Sequence, residues 1–399
     1  MSPSAGTVPS FERPPRSQLW PPLLLSALCV LGGIYLVASD VPAPDGQGAP
    51  SRGAATSGAP SSSSTAAPLP LIACVDSEET SFAWAGHRLC DRVESATHGR
   101  LRLRYAAKGA FDGRNYDELS IVHEVQNGHL AMAIVTCSPL SNIDPDYEIF
   151  DLPFLFKSNA EIDRVIEGPV GDTLLTGLEA GGLKGLGLLD LGFRIFASAT
   201  PMPTLADFKN KKVRVMQTAT SISMGHLLGC EPVPAPVERI IPMGKKGYID
   251  AADRTYATFW DFKGYEVHRY ITETYHTHGI KAIIANLNWF TGLPKDQQAA
   301  LMAAVPEVEK GQRERLRAED EKAKKLCLAH GIQISVLSAE ERERFRRACQ
   351  PLYGEYEKLR GSSLLQEIQA IQASLSPPAA PLKGGPSLSP PAARPSPTP

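Results

Sequence analysis

Tyr116-Asp-Glu-Leu-Ser-Ile-Val-His-Glu-Val-Gln-Asn-Gly-His-Leu-Ala-Met-Ala-Ile-Val135 combines a helical pattern with a short apolar run. Residues 116–127 are predicted to form a helix, and residues 130–135 a buried strand. Upstream, the apolar strand Leu71-Ile-Ala-Cys-Val75 precedes a helical pattern over residues 81–97. Such alternation of strands and helices indicates parallel sheets covered by helices, and in these sheets ligands bind beyond the carboxyl ends of the strands.

The composition excludes several classes of function. The chain has 399 residues, of which 43% are hydrophobic, and its formal net charge is -2. This length suffices for one large two-lobed protein or for two domains, and the charge argues against a nucleic-acid-binding protein. The sequence contains no phosphate-binding loop, dinucleotide-binding motif or nucleophile elbow. No cofactor is therefore expected.

The two ends of the chain differ from its middle. Leu19 to Ser39 carries no charge, so residues 1–39 are predicted to be an export signal or, alternatively, an uncleaved membrane anchor. Residues 40–69 are rich in Pro, Ala, Gly and Ser and are predicted to be a disordered linker, as is the Pro-rich tail 375–399. We expect a periplasmic protein, and the linker also leaves open a membrane-tethered sensor or co-receptor.

Two arginines are candidate ligand-binding residues. Arg194 lies in Gly192-Phe-Arg-Ile-Phe196, and Arg214 lies in Lys212-Val-Arg-Val-Met-Gln217. Arg214 stands in an apolar alternation that predicts a strand, and a buried guanidinium needs a partner because desolvating its charge is costly. That partner is either an acidic residue of the chain or a carboxylate ligand, whose two oxygens match the planar fork of guanidinium donors.

Six short motifs stand in the order found in solute-binding proteins of TRAP transporters (tripartite ATP-independent periplasmic transporters). The most specific of them is Phe150-Asp-Leu-Pro-Phe-Leu-Phe156, and the others lie at 109–111, 124–133, 181–186, 204–209 and 212–215. From Leu71 to Gly361 the chain resembles a divergent member of their dicarboxylate-receptor family. The resemblance implies a receptor, not an enzyme, that captures an organic acid and delivers it to the membrane permease subunits of a TRAP transporter.

The resemblance also implies the architecture. We expect an α/β fold of the periplasmic-binding-protein type with two closing lobes, each a mostly parallel sheet flanked by helices, and a long helix that spans both lobes. Lobe I is predicted to comprise residues 70–191 plus 280–319, and lobe II residues 192–279 plus 320–366, in a monomeric protein. The long polar helix after Lys295 fits the spanning helix, and Pro306 is predicted to interrupt it and restart it.

Three site residues follow from the resemblance and the strand pattern. Arg214 corresponds to the arginine that clamps the ligand carboxylate in the family, and Arg194 to the family's second arginine. Gln217 follows the Arg214 strand. Its amide could bind a hydroxyl or carboxylate of the ligand, or it could be a polar residue at a helix entry.

The turn Gly247-Tyr-Ile-Asp-Ala-Ala-Asp-Arg254 departs from the family pattern. Asp253 replaces the family's glutamate, and Arg254 replaces the asparagine that faces the ligand. Arg254 therefore either adds a third cation to the pocket or pairs with Asp250 or Asp253. If it faces the ligand, we expect a preference for acids with two carboxylates.

Candidate residues on the other lobe follow two predicted strands. Asp76 comes after the first strand, and Cys137 comes after the strand that ends the opening stretch. Both are expected at strand carboxyl ends and are therefore candidate ligand-binding residues. Acidic residues at such positions could also cap the following helix.

A metal-dependent enzyme is the remaining alternative. His276-Thr-His278 on a strand would place two imidazoles on one face, but no third ligand stands at a recognisable spacing, so no metal site is predicted. Cysteines beyond the signal segment show no metal-ligand spacing, and their pairing stays open.

Overall fold

The computed structural model describes residues 69–375. The predicted signal or anchor at 1–39, almost all of the predicted linker at 40–69 and almost all of the tail at 375–399 lie outside these residues. Within the described range, no helix has the length and apolarity needed to cross a membrane.

The first sheet has five strands. They are β1 (Leu69–Ala73), β2 (Arg104–Ala106), β5 (Leu130–Thr136), β6 (Leu183–Phe193) and β12 (His278–Asn286). Their order is β2-β1-β5-β12-β6, and only β12 runs antiparallel to its neighbours. Every residue of β5 and β12 is buried, as expected for central strands covered on both faces.

The second sheet has six strands. They are β7 (Ile195–Ser198), β8 (Lys212–Val215), β9 (Glu231–Pro234), β10 (Ala251–Arg254), β11 (Tyr270–Glu273) and β13 (Gln333–Val336). Their order is β13-β11-β7-β10-β8-β9, and only β7 runs against the others. A small hairpin joins β3 (Ala110–Phe111) to β4 (Arg114–Asn115). The prediction of two mostly parallel sheets is thus confirmed.

Helices cover both sheets. They are α1 (Ser81–Ala96), α2 (Glu118–Gln126), α3 (Cys137–Leu140), α4 (Asn159–Ile166), α5 (Pro169–Gly177), α6 (Ala219–Leu227), α7 (Ile240–Lys245), α8 (Tyr256–Asp261), α9 (Leu287–Gly292), α10 (Lys295–Ala329), α11 (Ala339–Cys349), α12 (Pro351–Arg360) and α13 (Ser363–Leu375). One apolar core continues from the first sheet to β7 and β8 of the second sheet.

Side-chain caps fix where several helices begin. The Thr255 side chain accepts a hydrogen bond from the backbone N–H of Thr258, so α8 starts directly after β10. The Asp117 side chain caps α2 in the same way, and the Ser338 side chain caps α11. Such caps satisfy backbone donors that the first helical turn leaves free. They place α2 and α8 beside the strand ends where polar residues gather.

The chain crosses between the sheets three times, once through the long helix between β12 and β13 and twice at neighbouring strand junctions. Only Arg194 separates β6 from β7, and residues 274–277 separate β11 from β12. The backbone N–H of Arg194 donates a hydrogen bond to the carbonyl oxygen of Thr277 at 2.9 Å. The two crossings are therefore joined to each other.

The long helix α10 packs against α1 and β6 beside the first sheet and against α8 beside the second. The prediction of a helix that spans both lobes is confirmed. The prediction that Pro306 interrupts this helix was wrong, because α10 continues through it. Pro306 faces solvent, whereas Leu301, Val305 and Val308 are buried on the packed side. Their packing offsets the hydrogen bond that proline cannot donate.

Candidate functional site

Three arginines lie together at strand ends of the second sheet. Arg194 precedes β7, Arg214 lies on β8 and Arg254 ends β10. Their exposed fractions are 7%, 3% and 1%, respectively. A buried guanidinium is costly unless it is paired and hydrogen-bonded. The partners of each arginine therefore determine what the site can bind.

Arg194 is paired with Asp253. Its Nε donates to Oδ1 of Asp253, and its Nη2 donates to the backbone oxygen of Asp253 at 3.2 Å. Nε2 of His276 lies 4.0 Å from the second carboxylate oxygen. Burial alone would raise the pKa of Asp253, but Arg194, His276 and Arg214 outweigh it and hold this pKa below its usual range. Asp253 thus compensates the charge of Arg194.

Arg214 donates to uncharged oxygens. Its Nε donates to the carbonyl of Ala235 at 2.6 Å, and its Nη1 donates to the carbonyl of Asp253 at 3.2 Å. Burial, together with a smaller effect of Arg194, lowers the pKa of Arg214 to about 10, against the opposite effect of Asp253 and Glu238. The guanidinium still carries its charge at neutral pH, and neither of these carbonyls neutralises it.

Arg254 has no hydrogen-bond partner among the described residues. Its Nε, Nη1 and Nη2 are all buried and unpaired. Asp250 is engaged elsewhere, since its Oδ2 accepts from the backbone N–H of Lys212 at 2.8 Å, and Asp253 pairs with Arg194. Burial, and then Arg214 and Arg194, lower the pKa of Arg254 to about 9. The sequence left open a pair with either aspartate, and the structure forms neither pair.

The surroundings of Arg254 are mostly apolar. Its guanidinium carbon lies 5.6 Å from the ring centre of Phe259. A Cβ added to Gly264 would come within 2.5 Å of Arg254 Nη1, so the missing side chain makes room for the guanidinium. His268 is also buried, and both of its ring nitrogens are unpaired. Burial, with a smaller effect of Arg254, lowers the pKa of His268 to about 3, so its ring is neutral.

Asp76 of the first lobe forms an ion pair. Nζ of Lys281 lies 2.7 Å from Oδ2 of Asp76 and 2.8 Å from Oε1 of Glu118. Sγ of Cys74 donates to the same oxygen of Asp76 at 3.0 Å. Burial alone would lower the pKa of Lys281, but the two carboxylates raise it well above its usual value. Asp76 is therefore paired with the buried Lys281.

Asp151 lies near Arg194 at the junction of the lobes. It accepts a hydrogen bond from Oγ of Ser138 at 3.2 Å. Burial raises the pKa of Asp151 to about 6, although Thr218, Arg194 and Ser138 all act to lower it.

Two predicted site residues stand apart from the arginines. Cys137 begins α3 and is 2% exposed within the apolar core, and burial raises the pKa of its thiol. Gln217 lies in the bend before α6, and its side chain is exposed. The structure thus brings together Arg194, Arg214, Asp253 and Arg254 but places Cys137 and Gln217 in different surroundings.

Polar groups of the two lobes meet at several places, among them Thr220 with Glu148 and Ser77 with Asp261. Glu238 of the second lobe lies near Arg214 and near Glu118 of the first lobe. Burial raises the pKa of Glu238 to about 7, and Glu118 adds to this effect. Elsewhere, Oγ of Ser77 and its backbone N–H, the latter at 3.3 Å, donate to the Asp261 carboxylate at the end of α8.

The sequence reasoning missed several of these residues. Lys281 stands alone in the apolar run of β12, which is the same signal that singled out Arg214, and it could have been found. Asp151 lies inside the Phe150–Phe156 motif, in which no residue was predicted to belong to the binding site. Nothing in the local sequence marks His268 as a neighbour of Arg254.

The described residues contain no metal centre. His276 contacts Thr274 through Nδ1 at 2.7 Å, whereas His278 lies 3.3 Å from Asp190, so the two imidazoles have different partners. No group of three or more His, Cys, Asp or Glu within residues 69–375 could hold a metal ion. The six cysteines in this range are free thiols.

Comparison with known proteins identifies the family. The model of the bacterial extracellular solute-binding proteins, family 7, matches residues 73–359. The chain belongs to this family. This chain is 27% identical over 238 residues to the 2,3-diketo-L-gulonate-binding periplasmic protein YiaO of Escherichia coli. The match covers 59% of this chain and 71% of YiaO. The chain is 28% identical over 229 residues to the C4-dicarboxylate-binding periplasmic protein DctP of Rhodobacter capsulatus, covering 57% and 69%.

Solved structures agree with this family assignment. This chain is 25% identical to a TRAP periplasmic solute-binding protein from Bradyrhizobium sp. BTAi1, whose structure was solved in complex with α/β-D-galacturonate. Their TM-score is 0.71, and the match covers 76% of this chain and 99% of the other. The predicted resemblance to TRAP solute-binding proteins and the two-lobed α/β fold are confirmed. The protein is a solute receptor of an extracytoplasmic family.

Proposed function

We propose that this receptor captures an organic acid between its two lobes and delivers it to the membrane subunits of a TRAP transporter. The observation that supports this proposal is the buried arginine group. Arg194 pairs with Asp253, whereas the hydrogen bonds of Arg214 go to carbonyl oxygens, and Arg254 has no hydrogen-bond partner among residues 69–375. A ligand carboxylate would supply the missing negative charge, and it matches a guanidinium in geometry.

Binding and closure are coupled in this proposal. The carboxylate binds the Arg214 guanidinium, while the Asp253 pair keeps Arg194 in place beside it. The Ser77–Asp261 contact brings the first lobe against the second. A ligand that contacts both lobes stabilises the closed state and shifts an existing open–closed equilibrium toward it. The closed form is then what the permease recognises.

The named ligands of similar proteins support the same chemical class. YiaO is named for 2,3-diketo-L-gulonate, DctP for C4-dicarboxylates, and the Bradyrhizobium protein was crystallised with galacturonate. All of these molecules carry a carboxylate. Their chain lengths and hydroxyl patterns differ, so they support a carboxylate as the ligand of this protein but do not identify a single compound.

A thermal-shift screen over mono-, di- and keto-carboxylates tests this function. A ligand at about 100 times its Kd should stabilise the protein by about 2.7 kcal/mol. Neutral sugars and polyols of the same chain length serve as controls and should have no effect. Stabilisation by the neutral compounds alone, or by no carboxylate in the screen, would contradict the proposal.

The proposal extends to the two ends of the chain, the boundaries of the lobes and the oligomeric state. Residues 1–39 act as an export signal or anchor, 40–69 as a linker and 375–399 as a tail. Lobe I comprises 70–191 plus 280–319 and lobe II 192–279 plus 320–366. The protein works as a monomer without enzymatic activity or a cofactor.

Intact-mass measurement tests the proposed localisation. A periplasmic form that begins near Asp40 supports a cleaved signal. Full-length protein in the membrane fraction instead supports the anchor and the tethered-sensor alternative, and soluble cytoplasmic protein contradicts both.

A further inference from the structure

Asp151 has a buried carboxylate oxygen without a hydrogen-bond partner among residues 69–375. The residue ends the 3-10 helix Pro145–Asp151 and is 9% exposed. Its Oδ1 accepts a hydrogen bond from Oγ of Ser138 at 3.2 Å, whereas nothing in the described part of the chain donates to Oδ2. An unpaired buried oxygen costs free energy, and an ionised one costs more than a neutral one. A donor on a bound ligand would remove this cost.

Backbone hydrogen bonds hold Asp151 beside the arginines. Three residues after it, the backbone N–H of Phe154 donates to the carbonyl oxygen of His276 at 2.5 Å. The backbone N–H of Arg194 donates to the next carbonyl, that of Thr277, at 2.9 Å. Burial raises the pKa of Asp151 and Arg194 opposes this effect, so the guanidinium acts directly on the carboxyl group. Asp151 therefore belongs to the same buried site as Arg194.

Thr218 of the second lobe leaves Oδ2 of Asp151 open. It caps α6, where its Oγ1 accepts from the backbone N–H of Ser221 at 3.2 Å. Thr218 acts against the larger effect of burial on the pKa of Asp151, but its hydroxyl does not reach hydrogen-bond geometry with Oδ2. This oxygen is therefore free to accept from a ligand.

The charges around Asp151 favour an uncharged donor. Arg194, Arg214 and Arg254 are all buried at neighbouring strand ends, so an ammonium group of a ligand would be repelled there. A keto or carboxylate oxygen cannot donate and would face the negative oxygen of Asp151. A hydroxyl group donates a proton without adding charge. Asp151 therefore suits a ligand hydroxyl.

That hydroxyl should lie next to the ligand carboxylate. Nη2 of Arg194 and Nη1 of Arg214 both donate to the carbonyl oxygen of Asp253 at 3.2 Å, so the two guanidiniums are neighbours. In the proposed function Arg214 binds the carboxylate, and Asp151 lies on the Arg194 side of it. The ligand atom nearest to both is C2, the carbon that bears the carboxylate.

We propose that Asp151 accepts a hydrogen bond from the 2-hydroxyl of the ligand, and that this residue makes the receptor discriminate 2-hydroxy acids from 2-keto acids of the same skeleton. This inference rests on the proposed function. It adds a specificity-determining residue on the first lobe.

Matched acids test the inference by isothermal titration at pH 8, where a carboxyl group with a pKa of about 6 is ionised. The pairs differ only at C2: lactate and pyruvate, 2-hydroxyglutarate and 2-oxoglutarate, gluconate and 2-ketogluconate. In the pair that binds most tightly, the better stereoisomer of the hydroxy acid should bind at least about tenfold more tightly than the keto acid, the effect of one hydrogen bond to a charged group. The corresponding 2-amino acid should bind more weakly than the hydroxy acid.

Three variants make the test specific. Asp151→Asn keeps the shape of the side chain, and its amide can donate to a keto oxygen, so the preference should fall below about threefold or reverse. Asp91→Asn is the matched control, exposed on α1 of the same lobe, and should leave both affinities unchanged. Ser138→Ala removes the hydrogen bond that holds Oδ1 and should weaken hydroxy-acid binding more than keto-acid binding. It provides the test if Asp151→Asn fails to fold, as judged from the unfolding midpoint.

The outcomes distinguish this inference from the function beneath it. Equal wild-type affinities for the hydroxy and keto acids, tighter binding of the keto or amino acid, or equal losses for both acids in folded Asp151→Asn would overturn the inference and leave the carboxylate receptor intact. Failure of every acid to bind the wild type would overturn the proposed function as well.

Discussion

Replacement of Arg254 by methionine should stabilise the unliganded protein. Arg254 is fully buried, carries a charge and has no partner among the described residues. Methionine is similar in length, unbranched and apolar, and it adapts to irregular space. The substitution removes the buried charge and keeps most of the packing against Phe259.

The expected magnitude follows from the electrostatics. The pKa of Arg254 falls from its usual value to about 9, mainly because of burial. At about 1.4 kcal/mol for each tenfold change in the ionisation constant, this disfavours the charged form by about 5 kcal/mol. Replacement of buried charged groups by apolar residues has stabilised other proteins by about 1–4 kcal/mol. We therefore expect a gain of about 1–4 kcal/mol in the free energy of unfolding.

Urea unfolding at neutral pH measures this gain. The wild type and Arg254→Met should be compared without ligand, since a bound acid would stabilise the wild type alone. Arg269→Met is the matched control because Arg269 is exposed on the same lobe. Its effect should stay within about 0.5 kcal/mol. Equal slopes of free energy against urea concentration would show that the unfolded states are comparable.

A loss of stability would refute the reasoning. If Arg254→Met lowers the free energy of unfolding by more than about 1 kcal/mol, then Arg254 already has a stabilising partner in the unliganded protein, such as an ordered water network or a resident ion. The three side-chain nitrogens of Arg254 would then not be unsatisfied in solution.

Three further predictions concern binding and closure. Arg214→Lys should weaken carboxylate binding by at least about tenfold in titration calorimetry, because lysine lacks the planar fork; unchanged affinity in a folded variant would make Arg214 structural. Wild-type affinity should fall as the pH rises through about 7, because Glu238, protonated below its raised pKa of about 7, becomes negative beside Arg214. Glu238→Gln should flatten that profile, and a variant profile as steep as the wild type would exclude Glu238 as the cause. Ser77→Ala removes a bond to Asp261 and should enlarge the radius of gyration without ligand, measured by small-angle scattering; identical radii would mean that this contact does not hold the cleft closed.

The fold could be predicted because its signals are local. Apolar runs bounded by turn residues marked the strands at 71–75 and 130–135, and helical spacing marked the helices between them. The behaviour of Pro306 could not be predicted in this way. Whether a proline ends a helix depends on the packing that supports the turns on either side, and here buried residues of α10 supply that support.

The candidate site was only partly predictable for a related reason. A lone arginine in an apolar strand indicated Arg214, but the partners of each arginine depend on how β10 aligns with its neighbours. In the observed register Asp253 lies opposite Phe196 of β7, while Ala252 lies opposite Arg214 of β8. This alignment places Asp253 where it forms an ion pair with Arg194, and Arg254 is left without a hydrogen-bond partner among the described residues. No local pattern specifies such a register between distant segments.

The position of Arg194 between β6 and β7 has a kinetic consequence. Its backbone is hydrogen-bonded to Thr277 at the other strand crossing, so a rotation of the lobes about this junction would move Arg194 least. Ser77 follows β1, which lies two strands, or roughly 10 Å, from β12 and therefore moves further. The Arg194–Asp253 pair is then already assembled when an acid enters the open cleft. Entry should depend little on the opening angle, whereas release must wait for the distant contacts to separate, so lobe opening sets the residence time.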